Sequence, residues 1–366
     1  MPLTLLLHGR HGGPDVTYAP LGPWLVPWRL LPDGLDADDR ALRHGIGLVD
    51  YSTQALLECR GADRADFLQR LLTNDIASLA PGTGCRAALL TPTAKVLADL
   101  LVLAETEAHW LLCNLPQAEG LANTLERYLF TERVTLTFHE RRLAVFALEG
   151  PRTMEAVAAV SGSASALNQP GDHAMAAVDG VPVRLIRHSL IGGTGVWGVL
   201  DAERLEGVWA FLRRQGRPWD VRPVGWEALN AARIEAGEPW FGVDLDDTTL
   251  LSETGLETVL ASQVKGCYIG QEVVARMQTY GSASKRLMGL ALEGHTAAEP
   301  GDRVLKDGVD AGWVTSACRS SALGRPIAMG YVKRGAYEAG THVVVIHGAE
   351  RLEATVTSLP FPFLGK

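Results

Sequence analysis

The sequence predicts an α+β layer fold followed by a small β-barrel, and two observations support this. Strand-like and helix-like runs alternate with short links over residues 41–284, without the regular βαβ order of a parallel sheet. From residue 285 only short strand-like runs remain, separated by turn signals such as Pro300-Gly301. With 366 residues, of which 47% are hydrophobic, the chain can bury a large core without metal or disulfide support.

The chain divides into a proline-rich start, a large mixed region and the barrel. Residues 1–40, which include Pro14 and Pro32, are predicted to form an irregular extension ahead of the first domain. The mixed region covers 41–284, in two subdomains of about 41–150 and 151–284. Residues 285–366 form the C-terminal barrel, so we expect the main domain boundary near residue 285.

Hydrophobic periodicity places the elements in order along the chain. Up to residue 160 we expect strands over 47–51, 55–60, 87–90, 96–103, 110–113 and 143–148, with helices over 61–72, 115–130 and 151–160. Strands over 181–187 and 196–200 then precede a helix over 203–214. The barrel strands are expected over 287–292, 302–305, 311–316, 328–332, 342–346 and 352–356.

Composition argues against several classes of protein. The net charge of −8 is unsuited to a protein that coats nucleic acid, so we expect no stable nucleic-acid binding. The five cysteines are widely spaced without a CxxC pair, which predicts free thiols in a reducing compartment and no metal site. No secretory signal and no apolar run of about 18 residues is visible, so we expect a cytoplasmic protein without membrane contact.

The most specific motif is Lys-Gly-Cys-Tyr-Ile-Gly-Gln-Glu at 265–272. Its candidate functional residues are Lys265, Gly266, Cys267, Tyr268, Gly270, Gln271 and Glu272. The two glycines permit sharp turns and close approach of a ligand. The last two residues are expected in the first turn of a helix, whose positive end and the nearby Lys265 both favour the thiolate form of Cys267. A buried, inert cysteine in a glycine turn is the alternative.

This motif resembles the K-G-C-Y-x-G-Q-E signature of the YgfZ folate-binding family, relatives of the aminomethyltransferase T-protein, and it matches at every position. Further segments resemble the same superfamily at 72–75, 232–237, 311–316 and 328–332. The resemblance extends from about residue 45 to residue 360. It implies a GcvT-like folate-binding fold, with mixed α/β layers around a central cavity and a C-terminal β-barrel.

The resemblance also implies a function. Tetrahydrofolate, or a one-carbon derivative of it, is the implied cofactor. The implied role is the assembly or repair of iron–sulfur enzymes, with those client proteins as partners and a link to tRNA modification. Under this hypothesis Cys267 is the active element of the loop.

Three residues match folate-site positions of the aminomethyltransferases. Asp99 matches the catalytic Asp of a D-D-L-V strand, Asn114 matches the Asn that contacts the pterin, and Arg233 matches the Arg of R-I-E-A-G. The alternatives, in the same order, are a solvated strand residue, a turn residue, and an ion-pair partner of Glu235 or of a nearby carboxylate. The resemblance implies that Asp99 is catalytic and that all three residues bind folate.

Three positions depart from the aminomethyltransferase pattern. Val196 stands where those enzymes carry the Glu of Y-T-G-E, which binds the pterin through paired hydrogen bonds. Leu229 stands where the A-R-D triplet of those enzymes carries its Arg, and Ala94 stands where a Gly usually precedes Lys95. The first two departures argue against methylene transfer but not against folate binding.

The sequence leaves three functions open. It favours a tetrahydrofolate-binding accessory protein for iron–sulfur enzymes, with or without catalytic turnover. The first alternative is a folate-dependent aminomethyltransferase or methyltransferase. The second alternative is a non-enzymatic tRNA-associated factor, against which the acidic net charge argues.

Overall fold

The structure is a computed structural model, and it describes residues 2–11, 15–30, 34–162, 164–280 and 283–362. None of the helices in these ranges has the length and apolar character needed to cross a membrane.

The described part of residues 1–40 is regular, which corrects the prediction of an irregular extension. Strands β1 (Leu3–Thr4), β2 (Val16–Leu21) and β3 (Trp24–Leu30) form a sheet in the order β1-β3-β2, and α1 (Gly34–His44) follows. Pro20 lies in an edge strand and Pro27 beside a shift in strand register, two places where a missing N–H is tolerated. Pro14 and Pro32 lie outside the described residues.

After β4 (Ile46–Asp50), which belongs to a second sheet, the chain forms a five-stranded sheet. Its strands are β5 (Gln54–Arg60), β6 (Gly84–Leu90), β7 (Val96–Ala104), β8 (Ala108–Asn114) and β9 (Thr135–Phe138), in the order β6-β7-β8-β5-β9. Helices α2 (Arg64–Leu71) and α3 (Leu115–Arg127) cover one face, because their apolar sides pack on strand residues such as Leu57, Leu89 and Leu111.

The second sheet has six strands and crosses the predicted subdomain boundary at residue 150. Besides β4 it contains β10 (Leu143–Glu149), β11 (His173–Val178), β12 (Val181–Arg187), β13 (Gly195–Asp201) and β14 (Val221–Pro223), in the order β11-β12-β13-β10-β4-β14. The division at 150 differs from the structure because β4 and β10 pair with strands from after that residue. Helices α4 (Thr153–Ser161) and α5 (Leu205–Gln215) cover its outer face.

Three helices connect the sheets to the barrel. They are α6 (Trp226–Glu235), α7 (Glu257–Leu260) and α8 (Gln271–Tyr280). The barrel strands are β15 (Lys285–Leu292), β16 (Arg303–Lys306), β17 (Val309–Ser320), β18 (Arg325–Lys333), β19 (His342–His347) and β20 (Glu350–Thr357). They close in the order β15-β18-β17-β16-β19-β20, as the spacing of short strands predicted.

The inner faces of the two large sheets pack against each other. Leu56 and Leu112 of the five-stranded sheet share one core with Val145 and Val199 of the six-stranded sheet. Trp24 from the N-terminal sheet belongs to the same core, so the first strands complete the domain.

Candidate functional site

A cavity lies between the two large sheets. Its walls also include the turn between β2 and β3 and the segment 238–243 that follows α6. Residues 1–40 therefore supply part of the wall, through Leu21, Pro23 and Trp24.

Aromatic rings form much of the lining. They are Trp24, Tyr51, Trp197, Trp226, Trp240 and Phe241. Tyr51 stacks on Trp226 with ring centroids 5.9 Å apart, and it contacts Trp197 at 5.0 Å. Burial raises the pKa of Tyr51, so its hydroxyl stays protonated at neutral pH. These walls offer flat apolar faces to a flat heterocyclic ligand.

Arg86, Asp99 and Glu238 form a charged cluster in the lining. Arg86 donates hydrogen bonds to Asp99 Oδ2 at 3.1 Å and to Glu238 Oε2 at 2.9 Å. Burial alone would lower the pKa of Arg86, but the two carboxylates outweigh this effect and raise it. Two carboxylates against one guanidinium leave one excess negative charge, which favours a ligand that carries or develops positive charge.

Strand alternation explains why Asp99 faces the cavity. Its neighbours Ala98 and Leu100 on β7 pack into the core under α2 and α3, so Asp99 points to the opposite face. On β6, Ala88 pairs with Asp99, and Arg86 reaches the carboxylate diagonally. Asp99 thus lies in the cavity wall, which fits the folate-site position that the resemblance gave it.

Asn114 lies in the same wall, at the end of β8. It pairs in register with Gln54, and its side chain accepts from Trp24 Nε1 and donates to the carbonyl of Phe241, both at 3.4 Å. Both bonds are long, so a ligand can compete for this amide. The structure therefore brings Asp99 and Asn114 together around one cavity.

Arg233, expected as a third folate contact, is fully buried and does not line the cavity. Its guanidinium donates to Asp244 and Ser316 and lies 4.6 Å from the ring centre of Trp240. Asp244 also accepts from Thr315, which like Ser316 belongs to β17. A direct folate contact does not fit this placement, because Arg233 joins α6 to the barrel and supports Trp240 from behind.

Val196 also lies away from the cavity. On β13 it packs into the core beneath α4 and α5, whereas its neighbour Trp197 lines the cavity. The expectation that a ligand faces Val196 at the position of the missing Glu therefore does not fit, because adjacent strand residues point to opposite faces.

Lys265 connects the loop that carries the 265–272 motif to α2 through hydrogen bonds. Its ammonium donates to the carbonyls of Gln69 and Leu72, both at 2.6 Å, and of Asn74 at 2.8 Å. These bonds use all three donors of an ammonium group. Burial lowers the pKa of Lys265 to about 8, and its charge acts on Cys85. The sequence suggested that Lys265 acts on Cys267, whereas in the structure its ammonium is bound by these three carbonyls.

Tyr268 and Gly270 anchor the other end of the loop. Tyr268 is buried with Ala94, and α8 begins directly after Gly270, as the sequence predicts. Gly270 has a φ of +83°, and a Cβ there would lie 2.6 Å from the carbonyl oxygen of Thr91. Ala94 has a φ of +63°, a conformation that favours the glycine expected at that position.

We expect Gly270→Ala to lower the free energy of unfolding by about 2–4 kcal/mol, because the new methyl group meets the Thr91 carbonyl in a left-handed backbone conformation. Gly266→Ala is the matched control. A Cβ at Gly266 meets nothing within 4 Å, so this variant should stay within about 0.5 kcal/mol of the parent. Urea unfolding measures both, and equal losses would contradict the assignment.

Cys267 is the exposed member of the five cysteines, all of which lie in the described residues. Burial raises the pKa of the other four thiols, Cys59, Cys85, Cys113 and Cys318, to about 12. The alternative of a buried cysteine is therefore wrong. Behind the loop, Glu272 forms a surface ion pair with Arg276 in the first turns of α8.

Sequence reasoning missed Glu149 and His188. Burial and the charge of Arg86 lower the pKa of His188 to about 3, so its ring in the cavity wall is neutral. Glu149 is fully buried and accepts from Leu190 N at 2.9 Å and from Ser189 Oγ at 2.8 Å. Burial nevertheless raises its pKa to about 8. The sequence signal for Glu149 was a carboxylate at the end of the apolar run that forms β10.

The burial of Glu149 should make the stability of the protein depend on pH. Its pKa rises from 4.5 to about 8 on folding, so between these values the native state binds more protons than the unfolded state. Stability should therefore fall as pH rises from about 5 to 8, with a slope of up to about 1.4 kcal/mol per pH unit from this group. Glu149→Gln should remove that slope, and the exposed control Glu155→Gln should keep it. Urea unfolding across this range measures the slopes, and an unchanged slope in Glu149→Gln would refute the assignment.

Family comparisons agree with this architecture. The GCVT N-terminal domain matches residues 7–263, and the glycine cleavage T-protein C-terminal barrel domain matches residues 285–362. The chain therefore belongs to the glycine cleavage T-protein family.

Individual relatives cover nearly the whole chain. The aminomethyltransferase of Prochlorococcus marinus (strain MIT 9303) is 27% identical over 354 residues, 93% of each chain. That of Synechococcus sp. (strain CC9311) is 28% identical over 360 residues, 96% of this chain and 95% of its own. The crystal structure of glycine cleavage system aminomethyltransferase T from Bartonella henselae has a TM-score of 0.88 at 23% identity, covering 99% of this chain and 98% of that one. The GcvT-like fold with its C-terminal barrel is thereby confirmed.

Proposed function

We propose that this chain binds a reduced folate in the central cavity and transfers a one-carbon unit to or from it. The placement of the Asp99 carboxylate between aromatic walls, held by Arg86, carries the proposal. The aminomethyltransferase relatives support it. It is the first alternative that the sequence left open, and the departures at Val196 and Leu229 no longer weigh against it, because both side chains are buried in the core.

The residues of the cavity fit such a ligand. Stacked aromatic rings can hold a pterin ring, and the amide groups of Gln54 and Asn114 can pair with its polar edge. The excess negative charge of the Asp99–Arg86–Glu238 cluster suits a ring nitrogen that becomes positively charged.

A bound tetrahydrofolate would supply the ring nitrogen that carries the one-carbon unit. Asp99 Oδ2 accepts from Arg86, whereas Oδ1 has no hydrogen-bond partner within the described ranges and is available to the ligand. At Oδ1 the carboxylate can stabilise positive charge or accept a proton. Glu238 holds Arg86 from the other side and so fixes the orientation of Asp99.

Turnover in a reconstituted glycine-cleavage system tests the proposal. With this chain in place of the aminomethyltransferase, we expect release of ammonia that depends on tetrahydrofolate. Binding of tetrahydrofolate without any transfer would overturn the transfer part of the proposal and leave a binding protein.

The exposed Cys267 favours a second candidate, the accessory role for iron–sulfur enzymes that the YgfZ resemblance implied. In this role iron–sulfur client proteins would be the partners, and the link to tRNA modification would run through them. The loop that carries Cys267 is rigidly held at Lys265 and Tyr268, while its cysteine stays open to a partner.

We expect Cys267 to react with iodoacetamide at neutral pH at least ten times faster than the other four cysteines, because its side chain is exposed whereas burial raises the pKa values of the other four thiols. Residue-resolved mass spectrometry measures the rates. Cys267→Ala should fold normally and fail to complement loss of iron–sulfur enzyme activity in cells, with Cys85→Ala as the control. Full complementation by Cys267→Ala would exclude the second candidate.

A further inference from the structure

Gln117 has a buried acceptor without a partner. It lies in the first turn of α3, three residues after Asn114, and it is 7% exposed. Its Nε2 donates to the carbonyl of Leu97 at 3.3 Å. Its Oε1 has no hydrogen-bond partner among the described residues. The residue lines the cavity.

The orientation of this amide is fixed by its surroundings. The Leu97 carbonyl can only accept, so the NH₂ group must face it and Oε1 must be the free atom. Buried acceptors are nearly always satisfied, because an unsatisfied one loses its hydrogen bonds to water without replacement. An acceptor of this kind in a cavity wall therefore points to a ligand that brings a donor.

We propose that Gln117 Oε1 accepts a hydrogen bond from an N–H group of the bound heterocycle and so determines ligand specificity; this rests on the proposed folate function. The neutral carboxamide lies in the same wall as Gln54 and Asn114. Within this set it selects a ring that presents an N–H donor, because a ring that presents an acceptor there would meet Oε1 with repulsion.

Binding of tetrahydrofolate to Gln117→Met, measured by calorimetry beside thermal unfolding of the free protein, tests this inference. We expect affinity to fall about 10- to 100-fold, while the stability of the free protein stays close to that of the parent, since the variant removes an unpaired buried acceptor but also the bond to the Leu97 carbonyl. Thr153→Val is the matched control: it removes another buried, unpartnered oxygen, in α4 outside the cavity, and should leave affinity unchanged. Gln117→Leu repeats the test if the Met variant does not fold.

The outcomes separate the two proposals. If the parent protein and Gln117→Met bind tetrahydrofolate with the same affinity, the role of Gln117 is overturned and the folate function stands. If a Gln117 variant is less stable than the parent but binds tetrahydrofolate normally, the residue serves the bond to Leu97, and the inference is also overturned. Parent protein that binds no tetrahydrofolate overturns the folate function together with the inference.

Discussion

Replacing Asp99 with Asn is expected to lower the rate of one-carbon transfer by about 100- to 1,000-fold, with tetrahydrofolate affinity within a few-fold of the parent. The substitution keeps the size of the side chain and its acceptor for Arg86, but it removes the negative charge that faces the cavity. Losing one well-placed charge or proton acceptor has an effect of this size on the chemical step. Single-turnover kinetics with saturating folate measure the rate without interference from binding.

Glu238→Gln is the control for this experiment. Glu238 is the other carboxylate bound to Arg86, so this variant removes a negative charge beside Arg86 but keeps the Asp99 carboxylate. We expect a loss of about tenfold or less. Equal losses in the two variants would mean that Asp99 serves only to hold Arg86, and the catalytic role would be wrong.

Replacing Arg233 with Met should lower the free energy of unfolding by about 3–5 kcal/mol. Arg233 and Asp244 form an ion pair in which both side chains are fully buried, and the variant leaves the Asp244 carboxylate without its charged partner. Arg276→Met is the control, because Arg276 is exposed and its ion pair with Glu272 should contribute less than about 1 kcal/mol.

A double-mutant cycle tests the reason for this loss. Arg233→Met combined with Asp244→Asn removes both charges, so the double variant should lose less stability than the sum of the single variants. Urea unfolding gives all four values. An Arg233→Met variant as stable as the parent, but with weakened folate binding, would restore the direct folate contact that the sequence suggested.

The resemblance assigned Asp99 and Asn114 to the folate site, and both line the cavity, Asp99 through strand alternation and Asn114 through its place at a strand end. The role of Arg233 depends on partners 11 and 83 residues away along the chain, Asp244 and Ser316, and no local pattern reveals such pairing. Glu238 and Arg86 are separated by 152 residues, and only the folded sheets bring them together.

The N-terminal strands show a different limit of sequence reasoning. Proline usually breaks regular structure, yet Pro20 and Pro27 occupy an edge strand and a register shift, where their missing N–H groups cost little. Strand β3, which begins at Trp24, was therefore not predicted from the sequence, and neither was the contribution of Trp24 to the cavity wall.

Titration of the purified protein with tetrahydrofolate, followed by intrinsic tryptophan fluorescence, tests the central claim most directly. Of the 9 tryptophans in the chain, Trp24, Trp197, Trp226 and Trp240 line the cavity. A folate bound between them should quench the signal in a saturable way at micromolar concentration, and Trp240→Phe should reduce the amplitude. The absence of any saturable change up to millimolar tetrahydrofolate would contradict the folate function.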